Sequence, residues 1–65
     1  MNIVIKEAIR TVGSQVILAK KLGVSQQVIS SWLRDRQKPS PKNARKIEEV
    51  TGIPRQWVRP DIFGN

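Results

Sequence analysis

The sequence predicts an all-α domain, a compact bundle of four to five short helices. Two observations carry that expectation. Glycines and prolines at positions 13, 23, 39, 41, 52, 54, 60 and 64 cut the 65 residues into pieces of short-helix length. Within the pieces, apolar residues recur three or four apart, which gathers them on one helical face. A β-hairpin in the last third is opposed by Pro54, which would spoil a central strand, and by the threefold spacing of Ala44, Ile47 and Val50. There is no internal repeat, linker or low-complexity run, so residues 1–65 read as a single domain.

The first helix spans about Asn2 to Val12, with Asn2 as N-cap, Gly13 as stop, and Ile5, Ile9 and Val12 on one face. The second opens on Ser14 and runs from Gln15 to Leu22. Leu18 and Leu22 share a face beside Ala19, Ile17 faces outward, and Gly23 closes the helix cheaply in a left-handed conformation. Ser25 caps a third helix from Gln26 to about Arg36. Val28, Ile29, Trp32 and Leu33 are its apolar members, and Gln26, Gln27, Ser30, Ser31 and Arg34 its polar face. After the loop at 37–40, Ser40 caps a fourth helix. Pro41 takes the first position, where a missing amide is harmless, and Gly52 ends it. Pro54 starts a short helix through Trp57 and Val58, and Pro60 stops it. Residues 59–63 then read as an extended tail that tucks Ile62 or Phe63 against the core.

Composition narrows the chemistry. The chain has no cysteine and no histidine, which removes disulfides, zinc fingers, thiol chemistry and every histidine-based triad. Glu48 and Glu49 are adjacent and diverge by about 100° around a helix, so they cannot act as a facing pair. With no phosphate-cradling glycine loop and no metal-ligand cluster, no enzyme, cofactor or metal is expected. No segment approaches the ~18 consecutive apolar residues of a spanning helix, and a charge at Lys6 comes too early for a signal peptide. The expectation is a soluble, cytoplasmic chain.

The formal net charge is +7, unevenly placed: +3 over residues 1–24, +5 over residues 25–46 and −1 over the remainder. A basic middle is the expected face toward a polyanion. A solvated surface that keeps a small protein soluble is the plainer reading of the same charge.

Helix two, a tight turn at Gly23 and helix three have the spacing of a helix-turn-helix. Ala19 is small enough for close approach of the two helices, Gly23 reverses the chain, and Ile29 and Trp32 fasten the second helix to the body. With these positions filled, the chain resembles the Cro/CI-type phage repressors, and more closely their small Cro-like prophage relatives of the YdaS type. The most specific pieces are Leu22-Gly23-Val24-Ser25-Gln26-Gln27, Ile47-Glu48-Glu49-Val50-Thr51-Gly52 and the closing Arg59-Pro60-Asp61-Ile62-Phe63. The resemblance implies a lambda-repressor-like helical domain that binds double-stranded operator DNA, weakly dimeric on a two-fold site.

By that resemblance, Gln26, Gln27 and Ser31 would touch base edges, with Ser30 on the same side. A glutamine carries the donor and acceptor that pair with adenine N6 and N7. Val28 is open between a thymine methyl and packing. Gln15, at the start of helix two, would hold a phosphate, and Ser25 would do so secondarily to its capping role. Arg34, Arg36, Lys38 and Lys42 would contact the backbone and set register. Two positions depart from the family pattern. Asp35 stands where many relatives have glycine, so helix three is expected to continue through Arg36 or Gln37, with Asp35 turned away from phosphate. Trp57 replaces a polar residue and has two readings, a cap on the core or, with Phe63, a dimer contact.

The leading function is a sequence-specific repressor acting by occupancy of its operator. The alternative is an antitoxin-like protein that binds and neutralises a partner protein, with or without DNA binding, through the tail around Trp57 and Phe63. RNA binding is weaker, since stacking aromatics are scarce.

Overall fold

A computed structural model describes residues 1–64. Its elements follow from local chemistry. In α1 (Ile3–Val12), Asn2 accepts the Ile5 amide at 3.1 Å. In α2 (Gln15–Leu22) and α3 (Gln26–Leu33), Ser14 accepts the Ile17 amide at 3.1 Å and Ser25 the Val28 amide at 3.2 Å. In α4 (Pro41–Thr51), Ser40 accepts the Asn43 amide at 3.2 Å, with Pro41 in the first turn. Each cap satisfies an amide that has no partner inside its own helix. Two short helices follow, α5 (Arg55–Val58) and α6 (Pro60–Phe63).

Two expectations are corrected here. Residues 59–63 are not an extended tail. Pro60 opens a helical turn, since its fixed φ suits a first helical position, and the Ile62, Phe63 and Gly64 amides close onto Arg59 and Pro60 carbonyls. This brings the described residues to six helical segments rather than four to five. Helix α3 does not run to Arg36 or Gln37; it ends at Leu33. Asp35 adopts the left-handed conformation at φ 59°. The Arg36 amide then reaches the Ser31 carbonyl at 2.9 Å and the Asp35 amide the Trp32 carbonyl at 3.1 Å, a Schellman closure. Helix α2 ends the same way through Gly23 at φ 71°, with Val24 donating to Ala19 at 3.0 Å and Gly23 to Lys20 at 3.3 Å.

The core draws on five of the helices: Ile5 and Ala8, Leu18, Ala19 and Leu22, Ile29 and Trp32, Ala44 and Ile47, and Val58 are all buried. Ile9, Val12, Val50, Ile53 and Phe63 pack around it, part-buried. The Cα radius of gyration, 10.3 Å, is close to the roughly 11 Å expected of a compact chain this long. Longer-range hydrogen bonds fix the frame around α3. The Asn2 amide donates to the Leu33 carbonyl at 2.7 Å, tying the entry of α1 to the end of α3. Lys46 Nζ donates to the Leu22 carbonyl at 3.3 Å, where a cation complements the end of α2. Among the described residues no helix is long and apolar enough to cross a membrane.

Candidate nucleic-acid interface

Helix α3 is held from one side and open on the other. Ile29 and Trp32 are buried against α1 and α2, leaving 0% and 2% of their surfaces exposed. Gln26 and Gln27, in the first turn, are exposed. Ser30 and Ser31 are half-buried one turn further on, and Arg34 follows, exposed. Gln27, Ser30, Ser31, Arg34 and Arg36 together line a shallow polar hollow on the outer face of the helix. The spacing of 27, 30, 31 and 34 is that of one helical face. Val28, whose role the sequence left open, is half-buried and packs against the core.

The remaining sequence-predicted positions do not line the hollow. Gln15 is half-buried in the first turn of α2. The Ser25 hydroxyl is engaged by the Val28 amide, so capping is its structural role. Lys42 is exposed in the first turn of α4. Lys38 lies 3.8 Å from the Asp61 carboxylate, and Arg34, Arg36 and Lys42 have no acidic partner within 4.0 Å among the described residues. Asp35, the acid nearest α3 in the chain, pairs with the Met1 amino group at 3.4 Å. Lys46, counted within the basic middle of the sequence, is drawn onto the end of α2 and half-buried.

Sequence reasoning missed a clamp behind the α3–α4 loop. Arg59 donates through Nε and Nη2 to both oxygens of Asp61, at 2.9 and 2.8 Å, and through Nη1 to the Pro39 carbonyl at 2.6 Å. Pro39 is fully buried beneath it. The Arg59 hydrogen bonds hold the Asp61 carboxyl down at about 2, below its ordinary 3.8, with a smaller contribution from Lys38. Nothing in the local sequence pairs residues 39 and 59, which meet only through the fold.

The two aromatics proposed for a dimer contact occupy different surroundings. Trp57 is 65% exposed and, with Ile3, Val4, Glu7 and Ile53, lines an apolar groove between α1 and α5. Ile3 is itself 74% exposed, a feature that helical periodicity gave no reason to single out. Phe63 is half-buried, with the Arg45 and Arg55 guanidinium groups 5.4 and 5.7 Å from its ring centre. Arg55 is in turn held by Glu48 at 2.6 Å.

Residues 5–65 match the family model described as bacterial toxin YdaS. The chain belongs to the YdaS family. This YdaS-family chain is also 46% identical over 61 residues to the Gene 30 protein of Enterobacteria phage phi80, a match covering 91% of this chain and 82% of that protein. No solved structure matches it. The kinship read from residues 22–27, 47–52 and 59–63 thus holds at the level of the family. Fold and kinship together describe a small all-α regulatory protein related to a phage protein. Among the described residues, no group of acidic side chains is gathered to hold a metal ion.

Proposed function

We propose that this chain is a sequence-specific, double-stranded DNA-binding repressor of the Cro type, acting in the bacterial cytoplasm. In this reading α2 and α3 are the helix-turn-helix, and α3 enters the major groove by its first turn. Gln26 and Gln27 read base edges there, with Ser30 and Ser31 beside them. Gln15, Ser25, Arg36, Lys38 and Lys42 hold phosphates and set register. The observation that carries the reading is the polar face of α3, with Arg34 and Arg36 beside it free of acidic partners among the described residues, anchored from behind by Ile29 and Trp32. A solvated surface needs no such placement: of the cations in residues 25–46, Arg34, Arg36 and Lys42 keep no acidic partner within 4.0 Å among the described residues. The protein binds a two-fold operator as a weak dimer, one α3 per half-site, about one helical turn apart. The apolar groove at Trp57 and Ile3 is the surface we assign to that contact, with Phe63 bordering the same end of the molecule through α5 and α6.

A second reading, binding of a partner protein, draws on that groove and on the word toxin in the family's description. It is compatible with DNA binding and uses a different face.

One experiment tests the first reading. The purified chain is titrated by mobility shift, across a salt series, against DNA from just upstream of its own gene and against a scrambled duplex. The expected result is a preference well over tenfold at physiological salt, lost in the Gln26→Ala/Gln27→Ala double variant. Trp57→Ala is expected to weaken binding to the two-fold site while leaving half-site binding unchanged. Equal binding to both duplexes, unaffected by the glutamine substitutions, would leave only non-specific charge attraction and overturn the proposal.

A further inference from the structure

The geometry of α3 points to a reader beyond its two glutamines: we infer that Arg34 recognises a base, a guanine in the operator, rather than a phosphate. The inference rests on the proposed DNA-binding function and refines it. By position in the chain Arg34 belongs with Arg36, Lys38 and Lys42, the cations that follow the helix. The structure separates it from Lys38 and Lys42, which do not line the hollow; Arg36 does line it, but from beyond the left-handed residue Asp35. Residues 27, 30, 31 and 34 share one face, and Arg34 lines the same hollow as Gln27, Ser30 and Ser31. It extends the row that would face the groove.

Three further features are ones that a base contact requires. First, the guanidinium has its donors available: no acid lies within 4.0 Å of it among the described residues, and the adjacent Asp35 is engaged with the Met1 amino group. Second, its backbone is fixed. The Arg34 amide donates to the Ser30 carbonyl at 3.1 Å, and the closure through Asp35 and Arg36 locks the turn immediately after it. A fixed backbone limits the directions open to a long side chain, which direct readout needs and phosphate attraction does not. Third, the planar fork of arginine matches guanine O6 and N7. Arg36 lies beyond the left-handed turn and off the helix, so it remains a backbone contact. Seven residues of helix separate Gln27 from Arg34, roughly 10 Å of rise. Where α3 lies along the groove, that rise spans at most about three base pairs at ~3.4 Å each, which bounds how far the guanine stands from the base read by Gln27.

The test begins with selection of duplexes from a randomised pool by the wild-type chain, followed by a base-by-base substitution scan of the selected site. Arg34→Ala and Arg34→Lys are scanned in parallel, with circular dichroism melts to show that both fold. The expected outcome is that Arg34→Ala loses about tenfold of discrimination at one guanine and keeps it elsewhere. Arg34→Lys does not restore it, because an ammonium lacks the fork. The inference is overturned if Arg34→Ala weakens every duplex alike, lowers the slope of log affinity against log salt by about 0.9, and is rescued by lysine, the behaviour of a phosphate contact. If the wild-type chain selects no sequence at all, the DNA-reading function fails and this inference with it. A selective wild type with a uniform Arg34→Ala loss sinks the Arg34 assignment alone.

Discussion

Asp35 shows how one residue sets the length of the helix that carries the site. A left-handed residue is needed to close α3, and glycine supplies that conformation without a Cβ penalty. Asp35 supplies it at φ 59°, in place of the glycine that does so at the end of α2. Aspartate visits this region more readily than most residues because its short side chain can bond locally, and here its carboxylate also meets the Met1 amino group at 3.4 Å. Asp35→Gly is therefore expected to be more stable than Asp35→Ala by about 1 kcal/mol, since alanine keeps the steric cost and loses the polar compensation. Urea unfolding of the two variants side by side measures the difference. An equal midpoint would mean that a Cβ at this left-handed position costs nothing measurable, and would overturn this account.

At the scale of elements, the Arg59–Asp61 clamp joins α6 to the loop that leads out of α3. Arg59 reaches the Pro39 carbonyl and Asp61 sits beside Lys38, so the C-terminal turn braces the loop between α3 and α4. The carboxyl of Asp61 titrates at about 2 in the folded chain, below its ordinary 3.8, chiefly because Arg59 bonds the ionised form. The folded state thus binds fewer protons than the unfolded state between those values. Stability from the clamp is complete above about pH 4 to 5 and falls away as pH drops through about 2. Asp61→Asn is expected to melt lower than wild type at pH 6, with the gap closing by pH 2. Thermal melts across that range check it; a gap that persists at pH 2 would point to lost packing instead of lost charge.

For the whole molecule, the margin is small. A single core in 65 residues rarely supplies more than about 3–5 kcal/mol. Ile47 is fully buried at the meeting of α4 with the rest of the bundle. Truncating such a side chain costs about 2–5 kcal/mol, of the same order as the total. Ile47→Ala is therefore expected to be largely unfolded at 25 °C, and Ile47→Val to stay folded with a lower melting temperature; circular dichroism distinguishes them. The same narrow margin makes the exposed apolar groove at Trp57 and Ile3 significant. A small chain that leaves a tryptophan 65% exposed forgoes burial that its core would use, which fits a surface reserved for a contact.

The helices α1 to α4 and their caps were legible because they rest on local chemistry. Serine or asparagine before each helix, glycine after α2 and α4, and apolar residues three or four apart act within a few residues of chain, and the sequence displays them directly. The polar face of α3 was legible for the same reason, as the complement of Ile29 and Trp32. What the sequence alone did not decide were features that depend on alternatives of nearly equal energy or on residues far apart. Whether Asp35 would stop α3 depended on a left-handed turn that aspartate permits but does not demand. Residues 59–63 could stop or restart a helix at Pro60, and the sequence showed nothing of Arg59 reaching Pro39, twenty residues away. Trp57 carried equal apolar value as a core cap or a surface residue; only the packing of Val58 inward placed it outside. Local rules wrote the helices, and long-range packing chose where they end, which basic residues are withdrawn, and which face of the molecule stays open.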